Sequence, residues 1–266
     1  MKNEPKKETA PAIKRFLAIP DTRAADVDDP DVTYQRRHII RSKRFLNAIY
    51  REWYAMQIAR LPDLPGHTLE IGSGAGFLDE LTSNLITSEV FFCPFVDLIM
   101  NAMQMPLPAE STRAIVMTDV FHHIPDVEQF LCEAERVLKP GGRIIMIEPW
   151  VTGWSRWVMD HFHNEPMDVK VEEWQFPSKG PLSGSNQALP WIVFDRDRDL
   201  FSERHPRLKI SSIQPFMPFR YLLSGGVSMR ALAPTWCNGF IKSIENRLDH
   251  DRWAMFVFLV LEKDKA

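Results

Sequence analysis

Between Thr33 and Ala59 apolar side chains return every third or fourth position: Ile39, Ile40, Phe45, Leu46, Ile49, Tyr50, Trp53 and Tyr54. That spacing lays one stripe along a helix. Arg36, Arg37, Arg41, Lys43, Arg44 and Arg51 fill much of the remaining surface, and the plain reading of them is a solvated face. "LPDLPG" ends this helix. "HTLEIGSGAGFLDEL" then reads as an apolar strand, a glycine turn and a helix start. "AIVMTDVF" is a buried strand by its continuous apolar run. "DVEQFLCEAERVLKPGG" is an amphipathic helix, capped by Asp126, striped by Phe130, Leu131, Ala134, Val137 and Leu138, and closed by "KPGG". "RIIMIEPW" is a further buried strand.

After Trp150 the pattern dissolves into Trp, Pro, His and charge with little period until Pro206. Order returns with the strand "RLKISSI", the helix "APTWCNGFIKSIENRLD" and the closing strand "RWAMFVFLVLEK". Strands alternating with helices predict an α/β fold, a mostly parallel sheet covered on both faces. Residues 1–32, charged and proline-broken, read as a mobile N-terminal tail. Residues 33–266 form one domain: a helical cover (33–64), an α/β core (67–150), an insertion after the core's last strand (151–206), and a strand-helix-strand unit (207–266).

Composition narrows the partners. The 266 residues are 45% hydrophobic and 25% charged, with a net charge of -3. That balance gives no footprint for nucleic acid. Cys93, Cys132 and Cys237 make no metal-ligand spacing and suit a reducing compartment. The N-terminal stretch has no apolar h-region of a secretory signal, and "WAMFVFLVL" is too short to cross a bilayer as a helix. A cytoplasmic protein without an integral membrane segment is expected; its oligomeric state is not legible.

The glycine turn carries the chemistry. "EIGSGAG" sets Gly72, Gly74 and Gly76 at alternate positions between strand and helix. Bare backbone there lets a ligand approach closely at the carboxyl end of a strand. The spacing is GxGxG rather than the GxGxxG of dinucleotide turns, and Glu70 lies inside the strand. Both features argue against an NAD-type oxidoreductase.

On "EIGSGAG", "TDVFHHIPD" and "ERVLKPGG", in order from Leu69 to Pro149, the chain resembles class I S-adenosylmethionine (SAM)-dependent methyltransferases, most of all their small-molecule, ubiquinone-type branch. The resemblance implies a Rossmann-like seven-stranded, mostly parallel sheet with an antiparallel last strand. It implies SAM as cofactor, with Gly72, Ser73, Gly74 and Gly76 around its methionine part through backbone groups. Glu70 would meet the ammonium, and Asp119 would sit beside the cofactor. His122 and His123 read first as part of the fold's strand-end turn, with a SAM contact by His122 the alternative. An acid at the end of the second strand would accept the ribose hydroxyls, a task suited to a carboxylate. If the segment "FLDELTSN" ends early, "LIT" is that strand and Glu89 stands at its end, with Asp97 the alternative. Asn101 and Ala102 then fall where the family often has Asp-Ala against adenine, and the Asn101 side-chain carbonyl would accept from the adenine amino group.

For the acceptor, "MDHFHNEPMD" is the richest stretch. In extended backbone His161 and His163 would share a face, and with Glu165 they are the candidate catalytic residues, a histidine being a suitable base near neutrality. The same residues could instead fix the insertion by hydrogen bonding each other, or ligate a divalent metal. Arg220, Tyr221 and Ser224 lie in a loop able to close over the acceptor or simply to join the last elements. Trp150, Trp154, Trp157, Trp174 and Trp191 could wall an apolar acceptor pocket, though core and lid packing is the favoured role for most of them. The expected function is methyl transfer to a small-molecule, sugar or lipid-linked acceptor, with O-methylation favoured because a histidine base is at hand. The alternative is a catalytically silent SAM-fold protein that binds and regulates a partner.

Overall fold

The computed structural model describes residues 29–163, 165–178, 180 and 184–265. Most of the tail expected at 1–32 lies outside them; its last residues do not continue a tail. Asp29 caps helix α1 (Pro30–Ser42) by accepting from the Asp31 N–H, and Pro30 supplies the pre-set first turn. The single helix expected from Thr33 to Ala59 is two. α1 ends at Lys43, whose backbone turns extended (φ -80, ψ 94), and α2 (Arg44–Ile58) begins at once. At the break Lys43 Nζ donates to the carbonyls of Gly226 (2.5 Å) and Met229 (2.8 Å), tying it to a distant part of the chain.

The sheet runs β3-β2-β1-β4-β5-β7-β6, from β1 (His67–Ile71), β2 (Leu85–Glu89), β3 (Leu98–Ile99), β4 (Thr112–Thr118), β5 (Leu138–Pro149), β6 (Leu208–Phe216) and β7 (Phe256–Lys263). β1 to β5 pair in parallel, and β7 is antiparallel to both β5 and β6. This is the expected seven-stranded Rossmann-like arrangement. The helix after the glycine turn shrinks to one 3-10 turn, Leu78–Glu80, so β2 starts early, and β3 is only two residues long. α3 (Val127–Val137) follows β4 with the Asp126 cap in place, and β5 begins at Leu138, so "KPGG" belongs to the strand.

Period-two alternation sorts the buried strand residues onto two faces. Ile115, Met117, Ile144, Met146, Val257, Leu259 and Leu261 pack with α3 and with Leu189, Ile192, Val193, Phe194 and Phe201. Ala114, Val116, Ile145, Ile147, Phe256, Phe258 and Val260 pack against Phe45, Leu46, Ile49 and Trp53. The second half of the insertion therefore contributes to the core. It runs as a short turn (Leu189–Trp191), a π segment (Ile192–Arg196) and α5 (Arg198–Arg204). Its first half is helix α4 (Gly153–Phe162), opened by a capping box in which Thr152 and Ser155 bond reciprocally. α6 (Arg220–Ser224) and α7 (Asn238–Glu245) complete the second face.

Candidate active site

A cavity opens at the carboxyl ends of β1, β2 and β4, under α1 and α2. Its floor is the glycine turn. Gly72 has φ +68, and a Cβ there would stand 2.5 Å from Val120 Cγ2. A Cβ on Gly76 would meet Tyr54 Oη at 2.5 Å and the Ser73 carbonyl at 2.9 Å. Only glycine leaves this surface bare for a ligand. Ser73 ties the turn to β2: its N–H donates to the Ser88 carbonyl (2.9 Å), and its hydroxyl accepts from the Ser88 N–H (3.1 Å).

Two carboxylates flank the turn. Glu70 on β1 is 4% exposed, and burial pushes its carboxyl up to about 7. Glu89 ends β2 and is 6% exposed. Its Oε2 accepts from the Gly74 N–H (3.0 Å) and its Oε1 from the Val90 N–H (3.2 Å); burial raises its pKa against those bonds. Both line the cavity. Asp97 does not. Its Oδ2 accepts from the Thr87 N–H (2.9 Å) and hydroxyl (2.8 Å), which pins the crossing between β2 and β3. Asn101 and Ala102 line the cavity, but the Asn101 carbonyl oxygen already accepts from the Met103 N–H (2.9 Å).

Asp119 lies at the end of β4 in a left-handed conformation, φ 63, which costs free energy for any residue with a Cβ. Burial pushes its carboxyl up to about 6, the His122 charge opposes that, and Glu148 and Glu165 add to it. Its charge is felt by Tyr50 and Tyr221, whose hydroxyls burial also holds well above their ordinary range. Thr33, Arg36, Ile40, Tyr50, Tyr54 and Tyr221 build the wall facing the glycine turn. Arg36 and Arg37 are half-buried rather than on a solvated face, and Arg37 donates to the Gly76 carbonyl.

His122 is buried and does not line the cavity, which corrects the contact expected of it. It is clamped between acids: Nδ1 lies 2.8 Å from Glu148 Oε2, and Nε2 lies 3.4 Å from Glu165 Oε2. Those partners overcome desolvation and hold the imidazole protonated. Glu148 Oε1 also accepts from the Val120 (2.8 Å) and Phe121 (2.8 Å) N–H groups, fixing the loop after β4. His123 lines the cavity instead, with Nε2 3.7 Å from Glu165 Oε2; burial lowers its pKa to about 4 and keeps it neutral. His122, His123 and Glu165 present ligand atoms within 4.8 Å of one another.

Of the three candidate catalytic residues Glu165 joins this network directly, and His163 touches it through Glu165. His161 sits in the last turn of α4, exposed, stacked on Trp157 with Nδ1 2.7 Å from the Trp157 carbonyl. His163 caps α4, exposed, and accepts from the Glu165 N–H (3.2 Å). Neither lines the cavity. The expected shared face required extended backbone at both histidines, but His161 is helical and only His163 is extended (φ -103, ψ 160). The five tryptophans are likewise absent from its walls. Arg220 is not a lid residue: buried, it is paired with Glu52 (2.7 Å) and Glu245 (2.5 Å) and anchors α6. Ser224 is buried beside Gly226, and Tyr221 alone of that loop's three reaches the cavity. Thr33, Arg36, Tyr50, Tyr54 and His123 were missed as site residues. The tyrosines were hidden in an apolar stripe, and only the i, i+4 spacing of their hydroxyls marked them.

Comparison with known proteins agrees with this layout. Residues 87–146 match the family described as a methyltransferase domain. A demethylmenaquinone methyltransferase of Tropheryma whipplei (strain Twist) is 43% identical over 44 residues, 16% of this chain and 18% of that protein. The ubiquinone/menaquinone biosynthesis C-methyltransferase UbiE of Bartonella bacilliformis is 39% identical over 108 residues, 38% of this chain and 36% of that protein. The chain thus spans well under half the length of these relatives. Among solved structures, geranyl diphosphate C-methyltransferase from Streptomyces coelicolor A3(2) has the same fold, with TM-score 0.51 at 13% identity, covering 97% of this chain and 89% of that one. In fold, and across the matched segment in sequence, the chain resembles class I SAM-dependent methyltransferases.

Proposed function

We propose that this chain is a SAM-dependent methyltransferase that carries a methyl group to a small apolar acceptor. One observation supports it above all: Glu70 and Glu89 enter the same cavity from either side of a bare glycine turn. The donors and acceptors suit the cofactor. Glu70 meets its ammonium group. Glu89 keeps lone pairs beyond those given to Gly74 and Val90, and these accept from the ribose hydroxyls. The unsubstituted backbone of Gly72 and Gly74 admits the methionine part. Asn101 still has its amide N–H groups for the adenine edge, since its oxygen is engaged with Met103. When bound, SAM supplies an activated methyl group on sulfur and leaves as S-adenosylhomocysteine, which the solved geranyl diphosphate enzyme also holds.

The chain's own work is to orient the acceptor, exclude water and take a proton. The wall of Tyr50, Tyr54, Tyr221 and Ile40 suits an electron-rich ring. Asp119 faces that wall with a carboxyl near 6, close to the working range of a general base. It accepts the proton that the acceptor loses, while the Glu148–His122–Glu165 chain sets its electrostatic surroundings. The preference for O-methylation rested on His161 and His163 and loses its ground with their position outside the cavity. Carbon methylation of a quinol-type ring is the reading we favour, in keeping with the names of the relatives above.

Calorimetry with SAM, S-adenosylhomocysteine and NAD tests the first step. We expect the first two to bind at one site and NAD not at all; NAD binding without SAM binding overturns the proposal. Mass spectrometry of metabolites with and without the gene then identifies the acceptor.

A further inference from the structure

A second cluster of donors lies away from the cavity, on the outer side of α3. Glu128 and Cys132 are four residues apart on that helix, so their side chains leave the same face. His205, the residue that ends α5, comes up against them. One ligand atom from each of Glu128, Cys132 and His205 falls within 4.8 Å of the others.

The ring of His205 is 2% exposed. Its Nε2 is buried and has no hydrogen-bond partner among the described residues. Glu128 Oε1 is only 3.3 Å away, yet no hydrogen bond joins the two atoms. A buried polar atom in this state is a rare and costly feature. Glu128 Oε2 is engaged by Arg204 at 3.3 Å, which leaves Oε1 turned to the ring. Cys132 is exposed, giving an ion a way in. Asp126, Glu133 and Glu135 surround the thiol with further negative charge.

We propose that Glu128, Cys132 and His205 bind a divalent transition metal ion of the zinc class. The donor set is one carboxylate oxygen, one sulfur and one imidazole nitrogen, which suits zinc and disfavours magnesium or calcium. Tetrahedral bonds of about 2.0–2.3 Å put ligand atoms about 3.3–3.8 Å apart, so the side chains need to close by only about 1 Å. Water fills the fourth position. Binding releases the thiol proton to solvent and gives His205 Nε2 its missing partner. The ion would staple the end of the insertion to α3, where Arg204 and His205 lie against Glu128 and Arg207 pairs with Glu135. The other three-donor cluster, His122, His123 and Glu165, belongs to the network beside the cavity and is already engaged with Glu148 and the Gly184 carbonyl.

The test uses the full chain stripped of metal and titrated anaerobically with Co2+. We expect a thiolate-to-cobalt charge-transfer band that saturates at one ion per chain and is displaced by Zn2+. Cys132→Ser should abolish the band and weaken zinc by on the order of 100-fold or more, while Cys237→Ser keeps both. Glu128→Gln, which keeps the side chain's shape while removing its charge, should weaken zinc measurably. Zinc should slow amide exchange over residues 198–205 in the parent and not in Cys132→Ser. A parent with no band at roughly tenfold excess Co2+, or a band unchanged in Cys132→Ser, overturns the site. SAM affinity should be the same in Cys132→Ser as in the parent, so this proposal and the methyltransferase reading fail separately.

Discussion

Two stretches of chain flank the cavity and are held in different ways. Glu70 to Glu89 is built into the sheet: β1 pairs with β2 on one side and β4 on the other, with Glu70 opposite both Thr87 and Val116. Helix α4 (Gly153–Phe162) is partly exposed, and the chain beyond it is joined to the site chiefly through Glu165. In the first, strand register decides where each end-of-strand side chain points, and one residue of slip would turn Glu89 away. In the second, direction depends on helical phase and on contacts far along the chain. Rigid chemistry therefore belongs on the first stretch and adaptable recognition on the second.

The sharpest way to break that comparison is at the turn itself. Gly72→Ala places a Cβ at φ +68 and 2.5 Å from Val120. Left-handed strain alone costs about 1–2 kcal/mol, and the clash adds to it. We expect SAM binding to fall below detection in calorimetry, with a lower melting temperature. Normal SAM affinity in that variant would mean that the turn is not the cofactor's floor.

Next in size is the base. Asp119→Asn keeps a residue type that tolerates the left-handed backbone but removes the proton acceptor. Turnover should drop about 10²–10⁴-fold with SAM affinity changed far less. In the parent the rate should rise as pH passes upward through about 6, since the base must be ionised. That step should vanish in Asp119→Asn; its persistence would assign the base elsewhere.

Third come the two acids at the β2–β3 crossing. Glu89→Ala should cost about 1.5–3 kcal/mol of SAM affinity, as for a hydrogen bond to a charged group. Asp97→Ala should cost much less affinity and instead lower stability, because Asp97 holds Thr87. Reversal of the two would move the ribose contact off β2.

What was legible in the chain follows the same division. The acid at the end of β2 was recoverable because the segment after Gly76 is too short for a full helix, which lets β2 begin early at Leu85 and end at Glu89. The break between α1 and α2 was not; at it Lys43 is held by carbonyls 183 and 186 residues away in sequence. The burial of Ala188, Leu189, Ile192, Val193, Phe194 and Phe201 was masked by Pro190 and by the π segment, which spoil the 3.6-residue period. The misplacement of His161 had a local remedy: "TGWS" carries the Thr and Ser of a helix-capping box three residues apart.

Glu70 offers a smaller effect with opposed signs. Its carboxyl sits at about 7 in the fold against 4.5 as the ordinary value, through burial. The folded chain therefore holds a proton that the unfolded chain has lost between those values, and stability from this group falls as pH rises across that window. The cofactor's ammonium favours the ionised form, so SAM affinity should rise from about pH 6 to pH 7.5 while the melting temperature of the free protein falls. Glu70→Gln should flatten both trends. Trends of the same sign in the parent would place the ammonium elsewhere.

The least effect is expected where the sequence first suggested most. His161 is exposed, and its contacts are local, to Trp157 one turn back. His161→Ala should change stability by no more than about 0.5 kcal/mol and turnover by no more than about twofold. His163→Ala should act slightly more, since it holds the Glu165 N–H and so the approach of Glu165 to His122. Steady-state kinetics of the two variants beside Asp119→Asn measures the contrast directly. A loss above about tenfold for His161→Ala would require α4 to unwind when the acceptor binds, bringing the imidazole over the cavity. The stretch around α4 would then be as much a part of the chemistry as the strand ends, and the division between rigid and adaptable halves would fall.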